Sequence, residues 1–219
     1  MIKPKLHHSW DLAPAEAIRL QVQLAAQVQR DVPLGSLSTV AGIDASYQDG
    51  LARAAVAVLS FPDLTIVESV IAERPVSYPY VPGLLSFREA PAVLDAFEHL
   101  TVTPDLLVFD GHGIAHPRRL GIASHVGLLV DIPAIGCAKR RLCGKYVEPD
   151  RAQGNFAYLR DGDEIIGAVL RTRTGVKPVF ISVGHRVNLP EAIQCMLACT
   201  RGYRLPEPTR QADKIAGGK

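Results

Sequence analysis

The sequence predicts an α/β fold: a mixed central sheet, three antiparallel strands followed by parallel ones, flanked by helices. Three observations predict it. Three apolar runs separated by turn residues lie between Thr39 and Glu73. From Ser86 onward the apolar period becomes helical. Helical stretches then alternate with short, continuous apolar runs, the pattern of parallel strands covered by helices.

Pro14–Arg30 keeps Ala17, Leu20, Leu24 and Val28 at a helical period, with Pro14 tolerated in the first turn. Strands follow at Thr39–Tyr47, Arg53–Phe61 and Thr65–Glu73, joined by Asp49-Gly50 and Pro62-Asp63 into an antiparallel meander. Ser86–Leu100 carries Ala90, Val93, Leu94 and Phe97 on one helical face. Leu106–Asp110 reads as a buried strand, Ser124–Val130 as a helix and Ala134–Ala138 as a further strand. Ile165–Arg171 and Val179–Val183 extend the sheet, and Pro190–Cys199 forms a closing helix. Asp150–Gly162 reads as an exposed loop and Ala212–Lys219 as a frayed tail, so residues 1–219 form one domain. This strand order is that of a ribonuclease H-like fold, whose first and fourth strands lie side by side. Asp44 and Asp110 can then meet although they are far apart in sequence.

The chain has 219 residues, 47% hydrophobic and 21% charged, a globular composition able to bury a core without disulfides. A net charge of +2 identifies no partner. The basic residues are clustered, however, at His116-Pro117-Arg118-Arg119 and at Lys139-Arg140-Arg141 with Lys145, where they could lie under phosphates. Cysteines at 137, 143, 195 and 199 form no C-x-x-C, which reads as free thiols in a reducing compartment. The longest apolar stretch, Val126–Ala138, is interrupted by Asp131 and Pro133, and no apolar leader is recognisable. A cytoplasmic protein without a membrane span is expected.

Two carboxylates stand out. Asp44 interrupts the apolar strand around Gly42-Ile43, and Asp110 ends Leu106-Leu107-Val108-Phe109. A buried carboxylate needs a cation or donors, and two at adjoining strand ends repel unless a divalent cation lies between them. Magnesium suits such oxygen ligands and keeps waters in its shell. Glu89 has two readings: the acid of an S-x-x-E capping box begun by Ser86, or a third carboxylate aimed at the strand ends. Lys139, just after the Ala134–Ala138 strand, can neutralise charge there. His112 and His116 have a spacing that suggests zinc, but Gly111, Gly113 and Pro117 oppose the helix that would align them.

Tyr78-Pro79-Tyr80-Val81-Pro82-Gly83 is a stiff segment, because each proline fixes its own φ and restricts the residue before it. Tyr80 can project from it as a wedge that replaces the stacking lost when a base leaves a duplex. Gly83 and Gly111-His112-Gly113 let backbone approach a flat base closely.

These stretches, with Asp110–His125 and Gly202–Arg210, resemble the endonuclease V family over roughly Gln21 to Asp213. The resemblance implies a ribonuclease H-like fold. It also implies magnesium-dependent cleavage, with manganese as a substitute, at the second phosphodiester bond 3′ to deoxyinosine, leaving 3′-hydroxyl and 5′-phosphate ends. Asp44 and Asp110 match the metal-binding aspartates, Glu89 the third catalytic acid with a share in the metal, and Lys139 the active-site lysine. Tyr80 between Pro79 and Pro82 matches the wedge. Gly83, Leu85, Gly111, His116 and Ile122 fall in segments lining the hypoxanthine pocket. Asp213 stands where some members carry histidine and is left outside the metal set. The implied partner is inosine-containing DNA, single strands and RNA being alternatives, and the implied state a monomer. An inosine-specific endoribonuclease, a junction-resolving nuclease and a non-catalytic inosine reader remain as rival readings.

Overall fold

A computed structural model describes residues 1–217. The strands form one eight-stranded sheet in the order β3-β2-β1-β4-β5-β8-β7-β6. The first three, β1 (Thr39–Gln48), β2 (Leu51–Ser60) and β3 (Ile66–Pro75), make the expected antiparallel meander. β1 then pairs in parallel with β4 (Leu106–Phe109), and β4 with β5 (Ala134–Ala138).

Strand alternation assigns the two faces. Along β4, Leu106 and Val108 join a core that includes Leu24, Ile193 and Met196 from α1 (Pro14–Ala25) and α4 (Leu189–Ala198). Leu107 and Phe109 join the opposite core, with Val93 and Phe97 of α2 (Leu85–His99) and Val126 of α3 (Ile122–Val130). Successive side chains on a strand point to opposite faces, so a four-residue strand buried on both sides reads as a continuous apolar run. α5 (Glu207–Ala216) packs across β1 and β2.

The structure corrects the sequence reading in five places. α1 stops at Ala25, because Gln27 and Val28 donate to Leu24 and Ala25 three residues back, a tighter turn. Val28 is nevertheless buried, which preserved the apparent helical period. β8 (Val179–His185) runs antiparallel to β5 and is followed in the sheet by β7 (Glu164–Leu170). Asp150–Gly162 is not all loop: Phe156–Asp161 is β6, an edge strand antiparallel to β7. Only Leu159 of β6 is buried, so the strand carries no apolar alternation to read. The presumed frayed tail from Ala212 is the second half of α5, with Ala212 and Ala216 packed inward; residues 218–219 lie outside the described residues. Finally, α2 starts at Leu85 with no side-chain cap. Ser86 Oγ instead meets Nδ1 of the buried His125 at 2.9 Å, so Ser86 and Glu89 form no capping box.

All four cysteines are free thiols, and Cys137, Cys195 and Cys199 are buried. Among the described residues, no helix is long and apolar enough to cross a membrane.

Candidate active site

Register brings the two strand carboxylates together. Ile43 lies opposite Phe109 in the β1–β4 ladder, and the Asp110 N–H extends the ladder by donating to Ile43 O at 2.9 Å. Asp44 and Asp110 thus follow paired residues. By alternation both point to the face that carries Val40 and Val108.

α5 crosses that face, and Gly42 lets it come close. A Cβ on Gly42 would lie 1.9 Å from Pro208 O, which no side chain could tolerate. The approach brings in Asp213 from α5. Ligand oxygens of Asp44, Asp110 and Asp213 all lie within 4.8 Å of one another. Lys139, placed by the end of β5, reaches Asp110 Oδ2 at 2.6 Å and Asp213 Oδ1 at 2.8 Å.

The electrostatics follow from this crowding. Burial first, then the charge of Asp110, pushes the Asp44 carboxyl up to about 7. Asp110 is also raised, mainly by burial, with Lys139 offsetting part of the shift. Burial opposes the Lys139 charge, but its bonds to Asp110 and Asp213 outweigh that and hold the ammonium protonated. Three hard oxygen donors at this spacing, two of them reluctant to ionise together, suit a divalent cation.

Glu89 is not a member of that group of three. It rises from α2, whose apolar residues cover the opposite face of the sheet. It is 9% exposed, and burial chiefly, with Asp44 and Asp110 behind it, raises its carboxyl to about 8. The Tyr47 hydroxyl faces Glu89, and the Arg88 guanidinium lies 4.5 Å from the centre of the Tyr47 ring.

A pocket of about 220 Å³ begins one residue beyond Asp110. Gly83, Leu85, Gly111, His116 and Ile122 all line it. Tyr80 and Pro82 stand on its wall, and Tyr80 is 75% exposed, the most exposed aromatic ring among the described residues. Tyr78 supplies the core contact instead, buried with Ala17, Leu84 and Phe87. α2 thus serves both regions, Leu85 in the pocket and Glu89 one turn later near the carboxylates.

The histidines hold no metal cluster with three ligands among the described residues. His116 has both ring nitrogens engaged, Nδ1 by the Arg118 N–H at 3.1 Å and Nε2 by Gly83 O at 3.1 Å. Burial lowers the His112 and His116 imidazoles to about 4, so both are neutral at pH 7. Arg118 and Arg119 are not free to sit under phosphates: Arg118 bonds Gln21, and Arg119 pairs with Asp161 and Glu164. Arg140, Arg141 and Lys145 remain exposed beside Lys139.

Sequence reasoning missed Tyr47, Gln21 and Leu142 as neighbours of the site, and singled out Asp213 only through the family resemblance. The spacing of Thr209, Ala212 and Ala216 was a helical signal for α5, muted because small residues carry it. Nothing local marked Gln21, a polar residue on the inward face of α1.

A ribonuclease H-like sheet with a carboxylate cluster and lysine at its central strand ends defines a metal-dependent nuclease. The family model for endonuclease V matches residues 17–214. Endonuclease V of Roseiflexus castenholzii is 54% identical over 98% of this chain and 97% of its own. The crystal structure of the Streptomyces avermitilis endonuclease V superposes with a TM-score of 0.92, 43% identity, 99% of this chain and 96% of the other. The Ciona intestinalis enzyme was solved in complex with a 24mer DNA containing an inosine followed by a ribo-adenosine. It has a TM-score of 0.83 and 28% identity, over 93% of this chain and 96% of that one. This chain belongs to the endonuclease V family, nucleases that act on DNA.

Proposed function

We propose that this chain is a single-domain, monomeric, magnesium-dependent endonuclease that recognises deoxyinosine in DNA. It hydrolyses the second phosphodiester bond 3′ to the lesion, leaving 3′-hydroxyl and 5′-phosphate ends. The observation that carries the reading is the join at Asp110-Gly111: a largely neutral pocket adjoins a carboxylate cluster, and an exposed tyrosine stands on its wall. The inosine-containing DNA in the Ciona intestinalis complex supports the choice of substrate.

Asp44, Asp110 and Asp213 would hold the magnesium ion, for which manganese can substitute. When bound, the ion supplies Lewis acidity and a water of lowered pKa. Tyr80, held extended between Pro79 and Pro82, fills the gap left by the displaced base. The base enters the pocket between Gly83, Leu85, Gly111 and Ile122, where neutral His112 and His116 add no charge. Glu89, its carboxyl raised chiefly by burial, stands beside the cluster and can exchange a proton with the reacting groups. Lys139 neutralises charge on Asp110 and stands ready for the phosphate.

The test is cleavage of a duplex with one deoxyinosine, in magnesium, beside an inosine RNA of the same sequence. One cut, one nucleotide beyond the lesion, is expected. Cutting of RNA alone would replace the substrate, and binding without cutting would make the chain an inosine reader.

A further inference from the structure

The Gly83 carbonyl faces three donors. Gln21 Nε2 reaches it at 3.0 Å, Arg118 Nη2 at 2.7 Å and His116 Nε2 at 3.1 Å. His116 Nδ1 accepts the Arg118 N–H, so its hydrogen is on Nε2 and is spent on Gly83. A carbonyl oxygen has two lone pairs, so three donors saturate it in the free protein.

Gln21 does more than contribute one bond. It is 1% exposed, donates also to Leu120 O at 3.2 Å, and accepts from Arg118 Nε at 2.5 Å. One α1 side chain therefore ties the segment bearing Tyr80 to the loop that forms the far wall of the pocket. Gly83 is built for this arrangement. Its φ of +78° turns the carbonyl toward the donors, and a Cβ there would lie 2.6 Å from Arg118 Nη2. The turn is closed by Leu84 N–H donating to Val81 O at 2.9 Å. Tyr80 thus stands on a turn that is fixed at one carbonyl.

We infer that Gln21 and Arg118 are positioning residues for lesion recognition, holding Tyr80 on the wall of the pocket through the Gly83 carbonyl. Gln21 lines the pocket, but its amide group is spent on Gly83, Leu120 and Arg118. A direct phosphate contact by Arg118 would also weaken when Gln21 is lost, but its loss would add to that of Tyr80→Ala, which separates the two explanations.

The test has one arm that needs no substrate and one that rests on the proposed deoxyinosine activity. In the first, amide hydrogen exchange is followed through residues 80–85 in wild type and Gln21→Met. Exchange there accelerates about tenfold, as expected when a buried bonded group loses its partner, while the central strands are unchanged. In the second, affinity for a deoxyinosine duplex is measured in calcium and single-turnover cleavage in magnesium. Gln21→Met weakens affinity about tenfold yet leaves the rate at saturating duplex within about twofold. Combined with Tyr80→Ala it adds no further loss, because both act through the same ring. Gln21→Glu keeps a partner for Arg118 but lacks the amide donors; it behaves like Gln21→Met, and it replaces that variant if the latter does not fold. Unchanged exchange, additive losses with Tyr80→Ala, or an equal fall in rate and affinity would overturn the inference. A wild type that ignores inosine DNA would sink the proposed substrate, and the exchange arm would still decide the role of Gln21.

Discussion

The carboxylate cluster and the pocket meet at one peptide bond, Asp110-Gly111, yet they are built in opposite ways. The cluster is charge held against burial first and its own repulsion second: Asp44 is raised to about 7 and Glu89 to about 8, with Lys139 as the counter-charge. The pocket is nearly free of charge, with its histidines lowered to about 4 and His116 engaged with the Gly83 carbonyl. The contrast teaches a division of labour. The cluster is incomplete without a cation, whereas the pocket is shaped before its ligand arrives.

The largest expected effect breaks the cluster alone. Asp110→Ala should lower single-turnover cleavage about 10³-fold, on the scale of lost electrostatic stabilisation in other active sites, and leave lesion binding measurable. Cutting at the wild-type rate would refute the assigned site. Tyr80→Ala breaks the other region. Base–aromatic stacking is worth about 1–3 kcal/mol, so lesion affinity should fall about 5- to 150-fold, while manganese affinity by calorimetry stays at the wild-type value. A matching loss of metal affinity would mean that the two regions are not separable. Asp213→Asn should weaken metal binding about tenfold, the lower end for altered metal sites, without moving lesion affinity in the absence of metal. Full metal affinity in that variant would leave α5 without a role in the cluster.

The smallest effect is on stability against pH in EDTA. The lowered histidines act in the opposite sense, adding stability as pH rises through their unfolded value of 6.5, and contribute little slope above about pH 7.5, where both states are neutral. Asp44 and Glu89 have raised values, so the folded state binds more protons than the unfolded one. Stability should therefore fall as pH rises through about 7 to 8. Urea midpoints at pH 7.5 and 8.5 should show the fall, Asp44→Asn should reduce it, and saturating calcium should abolish it. A flat profile in wild type would show that the carboxylates are not held against their charge.

Much of the cluster was legible because it is written in side chains. Asp44 and Asp110 each interrupt an apolar strand, and the change from meander to helix–strand alternation was enough to place those strands together. Glu89 was ambiguous because S-x-x-E describes a cap equally well; only the engagement of Ser86 with His125 removes that reading. Asp213 was hidden by a helix whose buried face is made of small residues. The pocket was legible in outline through its glycines and prolines, but the support beneath it was not. Gln21 gives no periodic signal, and the HPRR cluster looks like a phosphate site until its partners are seen.

The dependence of Asp213 on α5, and of α5 on Gly42, also orders events during synthesis. Asp44 and Asp110 leave the ribosome within the first half of the chain, and α5 emerges only after the entire sheet. The growing chain therefore carries two of the three grouped carboxylates without the third until its sheet has been made. Cleaving power should arise as a late step of maturation, once the edge strands that could misassemble are already paired.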